Sequence, residues 1–323
     1  MTPPAGDAPD LATYLNGLRE TIEAALDRVL TASAGPGPIN EAVRYAVLGG
    51  GKRLRPCLTL ATAEAAGARL GLDVDHAHAL ALPAACAIEM VHSYSLVHDD
   101  LPAMDDDSLR RGRQTTHVVY GDGLAILAGD GLLTEAFGVL AASPSPATEP
   151  DAPQATPARR LEALQVLTRA AGTEGMVGGQ AIDLAAAGRV KDRAASIREK
   201  AALEDMHRRK TGALIRASVT TAAIVTGADE TTVSAADEYA RDLGLAFQII
   251  DDVLDVEGSP EALGKTAGKD AAAGKPTYPA LFGLDESRRL AADAIGRAAA
   301  ALERAGLGGR LTDIAEWSLT RRS

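Results

Sequence analysis

Apolar residues in this chain recur with the period of a helix, and no stretch of useful length alternates with the period of a strand. Leu11, Tyr14, Leu15, Leu18, Ile22, Leu26, Val29 and Leu30 fall on one stripe, the three-and-four spacing by which a helix turns one face to a core. The Gly- and Pro-containing run "TASAGPGPIN" then stops the pattern. The same spacing predicts helices over residues 41–48, 54–66, 75–100, 115–141, 159–171, 194–226, 231–256 and 278–305. Only 3% of the 323 residues are aromatic, and the good helix formers Ala, Leu, Arg and Glu fill most windows. The expected fold class is all-α.

The net charge of −11 argues against a nucleic-acid binder, which needs a basic face to neutralise phosphates. Small anionic substrates stay possible. Cys57 and Cys86 sit among alanines without CxxC spacing, so core thiols in a reducing compartment are expected. The first residues, "MTPPAGDAPDLATYLN", have no basic start and no apolar core, and no unbroken run of 18 apolar residues occurs. A cytoplasmic protein without a membrane span is the expectation.

Length alone allows two domains, and "SPSPATEPDAPQATPAR" (residues 143–159) offers a break, with its prolines and no large apolar residue. It is read as a surface loop within one helical domain spanning residues 1–323, because the chemical motifs lie on both sides of it. With nothing large to bury, it is expected to tolerate shortening.

Two acidic clusters carry the chemistry. In "FQIIDDVLD", Asp251 and Asp255 are i and i+4 and share a helix face, close enough to hold one hard cation or straddle two. In "DDLPAMDDD", Asp99 and Asp100 have Ala103 where a third carboxylate one turn on belongs, and Asp105 comes two residues late. Pro102 accounts for the delay: it breaks the helix near Leu101 and lets Asp105 return to the face of Asp99. Neither cluster follows the EF-hand pattern, and the six histidines form no Cys/His zinc set. Carboxylate-only sites suit Mg2+, and Mg2+ suggests phosphate.

Basic residues lie nearby in sequence: Lys52, Arg53 and Arg55 in "GGGKRLRP", Arg110 and Arg111 in "LRRG", Lys210 with Thr211 in "RRKTG", and Lys265, Lys269 and Lys275 in "LGKTAGKDAAAGK". The first is no Walker A loop, since Arg53 stands where Ser or Thr is required. A nucleoside triphosphatase is disfavoured.

The ordered series "GGGKRLRP", "DDLPAMD" with "LRRGR", "GGQAIDL", "KTGALI", "FQIIDDVLD" and "GKTAGKD" resembles the trans-prenyl diphosphate synthases, in particular the bacterial farnesyl diphosphate synthases, over residues 39–281. The resemblance implies a helical bundle of the isoprenoid synthase type, with a deep central cavity and the two aspartate motifs facing each other at its mouth, and a homodimer. It implies that Asp99, Asp100 and Asp105 hold two Mg2+ and that Asp251, with Asp255 behind it, holds a third. Arg110, Lys210 and Lys265 would grip the allylic diphosphate, while Lys52, Arg55, His92 and Arg111 would bind isopentenyl diphosphate. Lys275 would help close the site, and Thr211 and Gln248 would face the cationic carbon. Metals and basic groups would stabilise departing pyrophosphate, and the double bond of isopentenyl diphosphate would attack the carbocation left behind.

His98 is read as a satisfied core residue, and no role is assigned to Arg53, Lys269, Asp106 or Asp107. Arg321 and Arg322, near the last residue, are candidates to cover a bound diphosphate. Tyr94 precedes Asp99 by five residues, about 7.5 Å along a helix axis, and is the expected floor that stops the product at C15; the family resemblance supports an aromatic residue there. The alternatives are a geranylgeranyl or longer-chain synthase, a terpene cyclase, which usually carries a different second metal motif, and a non-catalytic partner subunit.

Overall fold

The computed structural model describes residues 10–190, 200–257 and 277–321. Its helices, in chain order, are α1 (Leu11–Ala32), α2 (Gly37–Val47), α3 (Leu54–Arg69), α4 (Val74–Asp99), α5 (Thr116–Tyr120), α6 (Asp122–Ala141), α7 (Pro157–Ala171), α8 (Met176–Ala186), α9 (Lys200–His207), α10 (Ala213–Thr226), α11 (Glu230–Glu257), α12 (Tyr278–Phe282), α13 (Leu284–Arg304) and α14 (Arg310–Thr320). A π-helical turn, Arg208–Gly212, joins α9 to α10. The all-α expectation holds, with a two-residue hairpin, β1 (Leu109–Arg110) and β2 (Arg113–Gln114), as its small exception. Arg111 (φ 53°) and Gly112 (φ 74°) make the hairpin's two-residue turn, with the positive φ values that match strand twist.

The α4 helix occupies the middle of the bundle, packed on α3, α6 and α10. Residues on every side of it are buried, from Ala77 to Val97, which is the fate of a helix apolar all round. Its start is capped by Asp73, whose carboxylate accepts the His76 amide at 2.8 Å. In the second half, α11 runs against α10 and α13. Buried residues from α1 through α14 belong to one hydrophobic cluster.

Glycines divide two of the predicted windows. Gly121 (φ 85°) separates α5 from α6, and Gly283 (φ 80°) separates α12 from α13, each in a conformation closed to most residues. Periodicity misses α8 and α14, both only 11 residues long.

By length and averaged hydropathy, α4 and α6 are apolar enough to cross a membrane, although neither is an unbroken apolar run. In α4 the apolar window is 83% buried inside the protein. That of α6 is 39% buried, and Ile126 and Leu127 face outward.

The proline-rich segment departs from expectation. Its small side chains, Ser145, Ala147, Thr148 and Ala155, are buried, and Arg28 of α1 donates to the Ala147 carbonyl at 2.8 Å. Arg160 donates to the Ala142 carbonyl at 2.7 Å. Small residues let backbone approach backbone, and guanidinium groups then satisfy the carbonyls. Part of the segment is therefore packed against the bundle, although Glu149, Pro150 and Asp151 are exposed.

Arg53, left without a role by sequence, joins three elements. It sits just before α3 at φ 50°, and its guanidinium reaches Glu23 (2.7 Å), Glu89 (2.6 Å) and the Val47 carbonyl (2.5 Å). Glu89 is buried on α4, so removing its partner leaves a charge without compensation. Arg53→Met is expected to cost about 3–5 kcal/mol in denaturant unfolding. The double variant Arg53→Met/Glu89→Met should recover most of that loss; equal loss in both would show that the pair is not coupled.

Candidate active site

The first acidic cluster is built by the end of α4. Pro102 cannot continue the helix, and the chain turns so that the Asp105 amide donates to the Asp99 carbonyl at 2.8 Å and the Asp107 amide to the Asp100 carbonyl at 3.2 Å. Asp105 is thereby brought back beside Asp99. Burial is the first cause that pushes the Asp99 carboxyl up, to about 6; Asp105 and Asp100 add repulsion, opposed by Lys210 and Arg110. Asp100 faces the hairpin, where Arg110 donates to its two oxygens through Nε at 2.8 and 3.1 Å and approaches Oδ1 through a terminal nitrogen at 2.6 Å.

The π-helical turn carries Lys210 and Thr211 into the same region. Lys210 Nζ lies 2.5 Å from Asp183 Oδ2 on α8. Burial opposes the ammonium charge, but Asp183 and Asp99 outweigh it and hold the lysine pKa above its usual value. This approach needs a glycine on α8: a Cβ at Gly179 would lie 2.2 Å from the Lys210 backbone nitrogen. Beside it, both polar atoms of the Gln180 amide are buried without a protein partner.

A cavity of about 370 Å3 collects these groups. Arg55, His92, Asp99, Lys210, Thr211 and Gln180 supply polar lining, while Tyr94, Met104, Met176, Val177, Ala181 and Leu184 make apolar wall. Arg55 lies 3.4 Å from His92 Nε2. Burial first, and then the positive charge of Arg55, holds the His92 pKa well below its ordinary value, so the imidazole is neutral and can accept from the guanidinium.

The second acidic cluster divides its work. Asp251 Oδ1 accepts from Arg321 at 2.5 Å, and that guanidinium stacks 3.9 Å above the Phe247 ring and donates to the Phe247 carbonyl at 3.0 Å. Asp252 is buried and accepts from Gln248 Nε2 and from the Tyr278 amide, both at 3.0 Å. Gln248 is thus turned toward Asp252 and is absent from the cavity lining. Asp255 lies one turn beyond Asp251 on α11. Lys52, exposed at the surface, has Arg321, Asp251 and Arg111 as charged neighbours, and partial desolvation leads in lowering its pKa. Arg111 donates to the Gly50 carbonyl and lies where a Cβ on Gly51 (φ 137°) would collide with it. With Arg110 it lines a small neighbouring cavity. Lys265, Lys269 and Lys275 lie outside the described residues.

The polyprenyl synthetase family profile matches residues 37–305. The chain belongs to the polyprenyl synthetase family. It is 46% identical over 271 residues to a farnesyl diphosphate synthase of Geobacillus stearothermophilus, covering 84% of each protein. A dimethylallyltranstransferase of Fischerella ambigua is 44% identical over 280 residues, covering 86% of this chain and 74% of the relative. Among solved structures, the apo FPP/GFPP synthase of Zymomonas mobilis superposes with a TM-score of 0.75 at 35% identity, covering 97% of this chain and 98% of that one. This polyprenyl synthetase is therefore a prenyltransferase by kinship as well as by motif.

Among the described residues, no three acidic, histidine or cysteine side chains converge into a closed metal cage. Mg2+ is commonly held by one or two carboxylates together with substrate phosphates and water. Asp99, partly buried and crowded by Asp105 and Asp100, is a carboxylate that a cation would relieve. The residues present fit the ion.

Sequence reasoning missed four participants: Asp183, Gln180, Asp252 and the binding of Arg321 to Asp251. The motif "GGQAIDL" contained the first two, and the uncommon Gln and Asp within a small-residue run were the available signal.

Because the Asp99 pKa stands near 6 in the folded protein against 3.8 for the free side chain, its charge destabilises the metal-free fold above pH 6. Asp99→Asn is expected to raise the metal-free Tm at about pH 8 by about 2 °C or more. The gain should shrink as pH falls through 6 and vanish below about 4, where Asp99 is protonated in both states. A pH-independent difference in thermal melts would show that Asp99 is not crowded.

Proposed function

We propose that the protein is a Mg2+-dependent farnesyl diphosphate synthase, which condenses dimethylallyl and then geranyl diphosphate head-to-tail with isopentenyl diphosphate and releases pyrophosphate. The observation that carries this reading is a single cavity with Asp99, Lys210 and Arg55 among its polar lining and Tyr94 and Met176 in its apolar wall. Such a cavity suits a ligand with a polyanionic head and a hydrocarbon tail, and its volume lies in the range of small-molecule sites.

Asp99 and Asp105, with Asp100 supporting, would hold Mg2+ at one side, and Asp251 with Asp255 at the other, three ions in all. When bound, Mg2+ supplies positive charge to the departing pyrophosphate. Lys210, Arg110 and Lys265 bind the allylic diphosphate, so charge growing on the leaving oxygen meets cations already in place. Lys52, Arg55, His92 and Arg111 hold isopentenyl diphosphate with its double bond beside the ionising carbon, turning a collision into a positioned step. Thr211 and Gln248 face that carbon once Gln248 leaves Asp252. Lys275 helps close the site. With Mg2+ bound, Asp251 would exchange its Arg321 contact for the ion, and Arg321 would become available to a diphosphate. Tyr94 bounds the chain.

The whole chain would act as one catalytic domain and as a homodimer, the second copy covering the outward apolar face of α6 around Ile126 and Leu127. Buried free Cys57 and Cys86 agree with a cytoplasmic setting.

Incubation with dimethylallyl and isopentenyl diphosphates and Mg2+, followed by chromatography of the dephosphorylated alcohols, is expected to yield mainly C15. Predominant C20 or longer chains would favour the geranylgeranyl alternative, a cyclised hydrocarbon a terpene cyclase, and no product a partner subunit. Asp99→Ala and Asp251→Ala should each lower turnover by about 10²-fold or more with the fold retained. Near-normal activity in either would overturn the metal assignment.

Tyr94→Ala should move the product to C20 or longer. An active, folded variant that still stops at C15 would place the floor elsewhere.

A further inference from the structure

Tyr94 has a neighbour that holds it. His98, one turn nearer Asp99 on α4, also lines the cavity, and its ring crosses to α6. There Nε2 lies 3.1 Å from the Ile126 carbonyl oxygen and 3.9 Å from Asp130 Oδ1. A carbonyl only accepts, so Nε2 carries the proton and donates it.

The ring can sit there because residue 129 is glycine. A Cβ at Gly129 would lie 2.1 Å from His98 Nε2, 2.5 Å from Cδ2 and 2.8 Å from Cε1, and those are its three nearest neighbours. Gly129 lies inside α6 and is not among the positive-φ residues, so backbone conformation does not call for glycine. Space for the imidazole does. α6 has other glycines, at 123, 131 and 138, but a Cβ at any of them meets nothing within 4 Å.

Tyr94 in turn packs edge-on against the imidazole, with ring centroids 5.7 Å apart and planes at 78°. Its hydroxyl is buried without a hydrogen-bond partner. No polar contact fixes the phenol ring, so its place depends on packing, and His98 is the aromatic surface behind it.

We propose that Gly129 and His98 are positioning residues for product length: the glycine seats the imidazole against α6, and the imidazole backs the Tyr94 ring that ends the prenyl-chain channel. The inference rests on reading this cavity as that channel. With a methyl group at 129 the imidazole loses its seat, and because the α6 backbone lies behind it, it moves toward the cavity and Tyr94. The channel becomes shorter. With the imidazole removed, Tyr94 loses its backing and the channel becomes longer.

The test is product chromatography from wild type, Gly129→Ala, His98→Ala and the double variant, each first checked for a cooperative melt. Gly129→Ala should raise the C10 to C15 ratio by roughly tenfold or more, the scale on which a pocket discriminates a small change in apolar volume. His98→Ala should raise the share of C20. The double variant should match His98→Ala alone, since the atoms that the new methyl would strike are gone; a merely structural role for Gly129 would not produce that convergence.

Should Gly129→Ala fail to fold, His98→Ala still decides, because an unchanged C15 profile from the folded variant overturns the proposal. So does a Gly129→Ala protein with the wild-type profile, or a double variant that differs from His98→Ala. Wild type that makes C15 beside unchanged variants sinks this inference alone; wild type that joins no C5 units removes the proposed function and this inference with it.

Discussion

Carboxylates brought together inside an apolar bundle repel one another and lose their water, and the fold is possible because a cation arrives with nearly every one of them. Asp100 has Arg110, Asp183 has Lys210, Asp251 has Arg321, and Glu89 has Arg53. The partner comes from a different element each time: a hairpin, a π-helical turn, the residue after α14, the turn before α3. Removing Arg53 or Arg110 costs more than its pair contributes, because Glu89 or Asp100 is left charged and buried. The arrangement therefore fixes how the elements meet as well as supplying a charged site.

On the proposed function, the same pairing readies the site for polyanions: cations held beside carboxylates are already oriented when a diphosphate with its metal ions takes over those contacts. Asp99 is the instructive exception. It lies between Asp100, Asp105 and Lys210, and its raised pKa records that local attraction does not balance burial and repulsion. Asp252 shows the opposite use of an acidic residue: adjacent in sequence to Asp251, it is buried on another side of α11 and ties Gln248 to the start of α12.

Small residues do comparable work through space. Gly179 lets α8 touch the turn that carries Lys210, Gly51 leaves room for Arg111, and Gly129 leaves room for His98. Each is a place where another element occupies the volume a Cβ would need: backbone at Gly179, a side chain at Gly51 and Gly129. The buried Ser, Ala and Thr of the proline-rich segment follow the same rule on the outside of the bundle.

The helical class and most helix positions were legible in the chain because they depend on local periodicity, which needs no partner to be recognised. So was the return of Asp105 to Asp99, since the effect of Pro102 on the backbone is local. The order of motifs exposed the family, because each motif is a short run of characteristic residue types that can be recognised locally. Only the tertiary structure decided which carboxylate takes which cation, that Arg53 and Asp252 hold the framework, that Gln248 is turned away from the cavity, and that part of the proline-rich segment is packed. Those outcomes depend on contacts between residues tens to more than a hundred positions apart: Arg28 with Ala147, Arg53 with Glu89, Asp251 with Arg321. Local sequence carries no record of such distances, because they are set by how helices pack and by where a glycine lets two of them come close.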